Sequence, residues 1–159
     1  MTGDEFSDEY TAGRRNFDGV SLQGEVMSLA EISEVSLRDA NLEEIVIWSA
    51  RIDRSDFSGA NMLRASIKET SFHHCNMSGV NLQEAEICSS SFEDTDLSEA
   101  TLVGASLFEA SLFRVNLNNT DLTGVSFFEV AATPDIDFID AIGVTEWDLQ
   151  GVYEFDPDE

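Results

Sequence analysis

ANLEE IVIWS ARIDR SDFSG ANMLR ASIKE TSFHH CNMSG VNLQE, Ala40 to Glu84, carries a large apolar residue in the third place of every block of five. Followed outward in both directions, the beat runs from Phe17 to Phe127 through 23 consecutive repeats, with no insertion, deletion or polar substitution at that place. The chain has 37 Phe, Leu, Met and Ile residues and 23 of them fall in this one register, so chance does not explain it and the period is the primary fold signal.

Two places before the large residue stands a small one in 20 of the 23 repeats, as at Ala40, Ala60, Ala85 and Ala105. A separation of two puts both side chains on the same side of an extended segment. The residue between them is Asn, Asp, Ser or Thr in 18 of 23 and must face outward. The last two places are mostly polar, charged or Gly, the composition of a turn. An amphipathic helix needs apolar spacings of three and four, and a fixed spacing of five drifts around its axis. The helical reading fails, and each repeat is a short extended side followed by a corner.

Ala40-Asn41-Leu42-Glu43-Glu44, Ala60-Asn61-Met62-Leu63-Arg64, Val80-Asn81-Leu82-Gln83-Glu84 and Thr95-Asp96-Leu97-Ser98-Glu99 carry the pattern A(D/N)LXX. On these residues the chain resembles a pentapeptide-repeat protein over about residues 15 to 130. The resemblance implies an all-β solenoid, a right-handed quadrilateral β-helix with four repeats to the coil. The 23 repeats then make about six coils, and with strands ~4.8 Å apart the rod is roughly 28 Å tall. Residues twenty apart stack in columns: Phe57 above Leu37 and below Leu97 and Leu117; Leu42 with Leu82, Leu102 and Leu122; Phe72 with Phe92 and Leu112; Leu107 with Ile87 and Phe127. Each coil buries itself only against its neighbours, so both ends of such a rod need covering.

Three segments follow. Residues 1–14 are acidic, with Phe6 and Tyr10 as their large apolar side chains, and are expected to fold over the first open end. Residues 15–130 are the β-helix; its early repeats are the least regular, since Arg15 and Glu25 occupy places where small residues are wanted. Residues 131–159 are read as an acidic cap with short α-helices: Thr133-Pro134-Asp135 has the chemistry of a helix start, Gly143 that of a stop, and Trp147 and Leu149 anchor a second helix.

Thirty-two acids against eight bases leave a net charge of -24. Direct contact with nucleic acid or an anionic membrane is disfavoured, because phosphate binding needs clustered Lys and Arg. The charge fits a basic protein partner, DNA mimicry or a cytoplasm of molar salt. The N-terminus has neither a basic region nor an apolar run, and two Cys on different sides of the coil suggest no disulfide, so a reducing cytoplasm is the expected compartment.

The outward places are unequal. The side built on Met27, Ile47, Ile67, Ile87, Leu107 and Phe127 turns Val26, Leu29, Val46, Trp48, Phe108 and Phe128 outward, with Phe108 and Phe128 twenty apart and so stacked. Val103 lies on the previous side and Phe113 on the next. Trp48, Val103, Phe108, Phe113, Phe128 and Trp147 are therefore the candidate interface, either covered by the C-terminal segment or met by a partner or a second copy.

Chemistry is harder to find. His73-His74-Cys75 has metal-ligand residue types, but two face out at a corner and one faces in. Asp135, Asp137 and Asp140 lack the glycine and distal Glu of a calcium loop. The glycines are isolated corner residues, and a filled rod offers no cleft for a catalytic set. No cofactor or metal is expected, and the chain reads as a non-enzymatic interaction or structural module with a protein partner. The alternative draws on the resemblance: some members imitate a DNA duplex, bind type II topoisomerases such as gyrase and confer quinolone resistance, usually as dimers joined through C-terminal helices. This chain is shorter and lacks the projecting loops of the plasmid-borne members, while a homodimer through its C-terminal region would match them.

Overall fold

The computed structural model describes residues 1–27, 29–133, 136, 140–144 and 152–154. The repeats wind into a parallel, four-sided β-solenoid of about five turns, each residue pairing with the one twenty further on, as in Ile32 with Ile52 and Ile52 with Phe72. One wall is the four-stranded sheet β1 (Val26–Met27), β3 (Val46–Trp48), β5 (Ser66–Lys68) and β7 (Glu86–Cys88). The next is the seven-stranded sheet β2 (Glu31–Ser33), β4 (Arg51–Asp53), β6 (Ser71–His73), β8 (Ser91–Glu93), β9 (Ser111–Phe113), β10 (Val130–Ala132) and β11 (Val152–Glu154). The other two walls are ladders of single bridges such as Asn41 with Asn61 and Asp56 with Asn76.

The interior is the ladder of large apolar side chains. Leu42, Phe57, Leu82, Phe72, Phe92, Leu97, Leu102, Leu107, Leu112, Leu117 and Leu122 are all buried. Phe72 and Phe92 stack face to face with centroids 5.0 Å apart, and Phe57 meets Phe72 edge-on at 6.1 Å. Truncating such a ring to Ala costs roughly 3–5 kcal/mol, so each rung holds its neighbours in register.

The repeats turn their corner at the second residue after the large apolar one, with a positive φ at 22 such places: six are Gly, and the rest include Glu99 at 58° and Arg64 at 54°. A non-Gly residue there costs about 1–2 kcal/mol. On two walls the corner is closed by a hydrogen bond within the repeat, as from the Ala60 N–H to the Phe57 carbonyl at 3.0 Å, and the Asn or Asp before the apolar residue accepts from the corner amide, as Asn61 Oδ1 does from Leu63 N. This is why Asn and Asp favour those walls. On the sheet walls the first four turns leave the corner open, and at several of these corners a hydroxyl fills in. Ser90 Oγ accepts the Thr70 N–H at 3.1 Å and donates to the Cys88 carbonyl at 3.0 Å; Ser55 does the same for Val35 and Asp53. The inward residue is thus most often Ala where the backbone bonds itself, as at Ala40, Ala60 and Ala85, and often Ser or Thr where it does not.

The N-terminal segment forms α1 (Gly3–Thr11), opened by a capping box in which Thr2 accepts from the Glu5 N–H and Glu5 accepts from the Thr2 N–H. Its Phe6 is buried against Phe17, with centroids 4.6 Å apart. The two misfit residues of the early repeats hold it: Glu25 accepts from the Gly3 N–H at 2.9 Å, and Arg15 lies over the Tyr10 ring and donates to the Tyr10 carbonyl. A Cβ on Gly3 would stand 2.2 Å from the Val26 carbonyl oxygen, so the helix approaches this closely only because residue 3 has no side chain.

At the other end the reading needs correction. Thr133 is tied to the turn before it: its N–H donates to the Leu112 carbonyl, its hydroxyl accepts from the Arg114 N–H, and its carbonyl accepts from Ile136; residues 134, 135 and 137–139 of the helix expected to start here lie outside the described residues. Ile142, expected in a helix ending at Gly143, is a parallel bridge partner of Asp121, and Val152–Glu154 pairs with Val130–Ala132. The solenoid ladder thus continues past Val130, its spacing slipping from twenty to 21 and 22 residues. Trp147, Leu149 and the rest of the expected helices lie outside the described residues.

Gly79 has φ 65° with open space where a Cβ would go, so Gly79→Ala isolates the cost of the corner. It should lower stability by about 1 kcal/mol, while Glu99→Gly should raise it by up to about 1 kcal/mol. Thermal and urea unfolding measure both, and a stabilising Gly79→Ala would contradict the corner geometry.

Candidate interaction face

Because the interior is closed by side chains, what the chain offers to other molecules is its four walls and their edges. The two bridge walls are polar ladders. Asn81 Nδ2 donates to Asn61 Oδ1 at 2.9 Å, Asn61 to Asn41 at 3.4 Å, and Asn116 to Asp96 at 2.9 Å. Their amides are spent on one another.

The edge that follows the seven-stranded wall is a ladder of basic side chains set against carboxylates. Arg54 pairs with Glu34 and Asp53; His73 Nδ1 is 3.0 Å from Glu93; His74 lies 3.4 Å from Asp53 and 3.6 Å from Asp94; Arg114 binds Glu93 and Asp94 at 2.8 and 2.7 Å. Arg114 holds the Asp94 carboxyl below its ordinary value through those hydrogen bonds. On a bridge wall Arg38 does the same to Asp18, down to about 2, with Ser36 adding a further bond. These pairs are exposed and worth little individually. All of them but Arg54–Asp53 span about twenty residues and so tie successive rungs together.

Within His73-His74-Cys75, the thiol points inward and is buried, donating to the His73 and Ile52 carbonyls, while both imidazoles face carboxylates outside. The run is split between two sides of the backbone. Among the described residues no group of three His, Cys, Asp or Glu could hold a metal ion. Burial pushes the Cys75 thiol up to about 11.

The four-stranded wall differs from the others. Of the five exposed large apolar side chains among the described residues, Val26, Trp48, Phe108 and Phe128 belong to its repeats, and Ile142 alone does not. Trp48 is 65% exposed and Phe128 54%. Phe108 and Phe128 lie face to face with centroids 5.5 Å apart, the stack that twenty-residue spacing requires. The wall therefore gathers Trp48, Phe108 and Phe128. It does not gather Val103 and Phe113, which are half-buried on the walls either side, and Trp147 lies outside the described residues.

One feature of this wall was not read from the sequence. Ser49 Oγ donates to Glu69 Oε2 at 3.0 Å and Ser89 Oγ to Glu109 Oε2 at 2.9 Å, fixing carboxylates in a row beside the aromatic column. The twenty-residue spacing of each pair was the available signal.

A family model described as pentapeptide repeats matches residues 49–85 and 90–127 in eight copies. No curated protein matches the chain. Among solved structures, it is similar to a pentapeptide repeat protein of the Arabidopsis thaliana thylakoid lumen at 22% identity and TM-score 0.47, over 70% of this chain and 63% of that one, so it spans just under two thirds of that protein's length. HetL, a pentapeptide repeat protein involved in heterocyst differentiation regulation in the cyanobacterium Nostoc, matches at 24% identity and TM-score 0.43, over 89% of this chain and 70% of that one. QnrB1, a plasmid-mediated fluoroquinolone resistance protein, matches at 19% identity and TM-score 0.48, over 91% and 88%.

Cys88 is half-exposed on the four-stranded wall and Cys75 is buried. Iodoacetamide at pH 8 should therefore alkylate Cys88 in the folded protein and Cys75 only after denaturation, as read by peptide mass spectrometry. Equal rates at the two thiols would show that the repeat of Cys75 is not closed.

Proposed function

We propose that the chain, whose residues 49–85 and 90–127 match the pentapeptide-repeat family, is a non-enzymatic module that binds another protein through its walls. One observation carries this reading: an interior filled by its own side chains, with four of the five exposed large apolar groups among the described residues collected on a single wall. Reacting groups need a water-excluding concavity, whereas partner binding needs a patch of this kind. No helix among the described residues is long and apolar enough to cross a membrane. Two unpaired thiols fit a reducing cytoplasm. The reading allows one kind of self-association, a homodimer joined through residues 131–159.

A second reading, a DNA-like rod that occupies the DNA site of a type II topoisomerase such as gyrase, draws on the net charge of -24. A duplex ~28 Å long carries about 16 charges. Residues 15–130 hold 19 acids and 7 bases, a net of -12, so total charge does not separate the readings. Arrangement does. The acids are dealt four or five to each wall, and Arg38, Arg54, Arg64, Lys68 and Arg114 are ion-paired to them. Continuous acidic rows, which a duplex presents, are interrupted on each wall.

In a gyrase supercoiling assay titrated to micromolar protein, neither inhibition nor protection from a quinolone is expected. Either effect would favour the DNA-like rod and overturn the first reading.

A further inference from the structure

The four-stranded wall sets two columns side by side. One column runs Trp48, Lys68, Cys88, Phe108, Phe128; the corner column beside it runs Ser49, Glu69, Ser89, Glu109, Glu129. The serines of the second column hold Glu69 and Glu109 in line by hydrogen bonds. Lys68, the one base on this wall, is already paired with Glu86 at 3.2 Å. The chain has no Lys or Arg after Arg114, so residues beyond it bring no such cation to Glu109 or Glu129. A second copy, itself at -24, brings a large excess of the same charge.

We propose that this wall, with Trp48, Phe108 and Phe128 as its apolar contacts and Glu69, Glu109 and Glu129 as its charged border, is a docking site for a basic amphipathic helix of another protein. The proposal rests on the interaction-module reading and names its partner's chemistry. A helix fits better than an added strand, because the wall's backbone groups are already bonded within the sheet and only side chains are on offer. Trp48 to Phe128 spans four rungs, about 19 Å at ~4.8 Å each. A helix of about 13 residues covers that length. Its apolar stripe lies on the aromatic column, and Lys or Arg along one flank meet the carboxylates. Charge brings the two together and the desolvated aromatics hold them.

The test is fluorescence anisotropy with two labelled synthetic peptides of equal leucine and lysine content, one patterned as an amphipathic helix and one scrambled. The full chain should bind the patterned peptide at least tenfold more tightly at 0.5 M salt, where unspecific attraction is screened. Phe108→Ser with Phe128→Ser should weaken it at least tenfold, and Glu109→Gln with Glu129→Gln should flatten its salt dependence. Bound patterned peptide should also slow alkylation of Cys88. Equal binding of the two peptides, or an undiminished Phe108→Ser/Phe128→Ser variant, overturns the proposal. If that variant also captures a native partner as well as the unchanged chain does, this wall fails and the module reading survives. A chain that binds neither peptide and captures no partner sinks both.

Discussion

Each large apolar side chain of this protein rests on the one twenty residues away, and that single register sets everything else. Four repeats of five close one turn, so the ladder of Phe72 on Ile52 and Phe92 on Phe72 exists only while no residue is gained or lost. The far end shows the consequence. Beyond Val130 the spacing slips, Asp121 pairing with Ile142 and Val130 with Val152, and there the five-residue beat of the sequence has also ended. Closure of the rod passes at that end to residues chosen for their own contacts, as Thr133 is, and at the other end to Phe6 of α1.

The register carries a conformational cost at nearly every corner, where a left-handed residue must turn the chain. Glycine fills six of those places and ordinary residues the others. What sustains the strained ones is coil-to-coil hydrogen bonding, as from the Glu99 N–H to the Asn118 carbonyl at 2.9 Å, repeated along the rod. At several open corners a buried hydroxyl supplies the missing acceptor, as Ser55, Thr70 and Ser90 do for the amides of Val35, Ala50 and Thr70, and no buried polar side-chain atom among the described residues lacks a partner. An orphaned amide at such a place would cost about 1–3 kcal/mol.

The solenoid, its columns and the Phe108–Phe128 stack were legible because they follow from period alone. Whatever depends on contacts between unlike parts was not. Thr2 and Glu5 have the spacing of a capping box, yet a short acidic segment gives no other sign of a helix; the sign lay in Arg15 and Glu25, which look like defects of the repeat until α1 is seen on them. Thr133 before Pro134 has the chemistry of a helix cap, and its hydroxyl also serves as the acceptor opposite the Arg114 amide, a bond between unlike parts that the period does not announce. On the surface, sequence placed Trp48, Phe108 and Phe128 on one wall, but the carboxylates aligned beside them became visible only with the Ser49–Glu69 and Ser89–Glu109 bonds. A closed interior and one uneven wall together direct attention to binding through side chains.

Amide hydrogen exchange resolved residue by residue tests the register most directly. In the repeat of Leu42, the N–H groups of Asn41, Leu42 and Glu44 donate to neighbouring turns, whereas that of Glu43 donates only to the Asn41 side chain. Strong protection at three amides with weak protection at the fourth place, recurring every five residues from Ser36 to Glu109, where each turn has a neighbour on both sides, is the predicted result. Protection with a helical rhythm, or none that repeats, would contradict it.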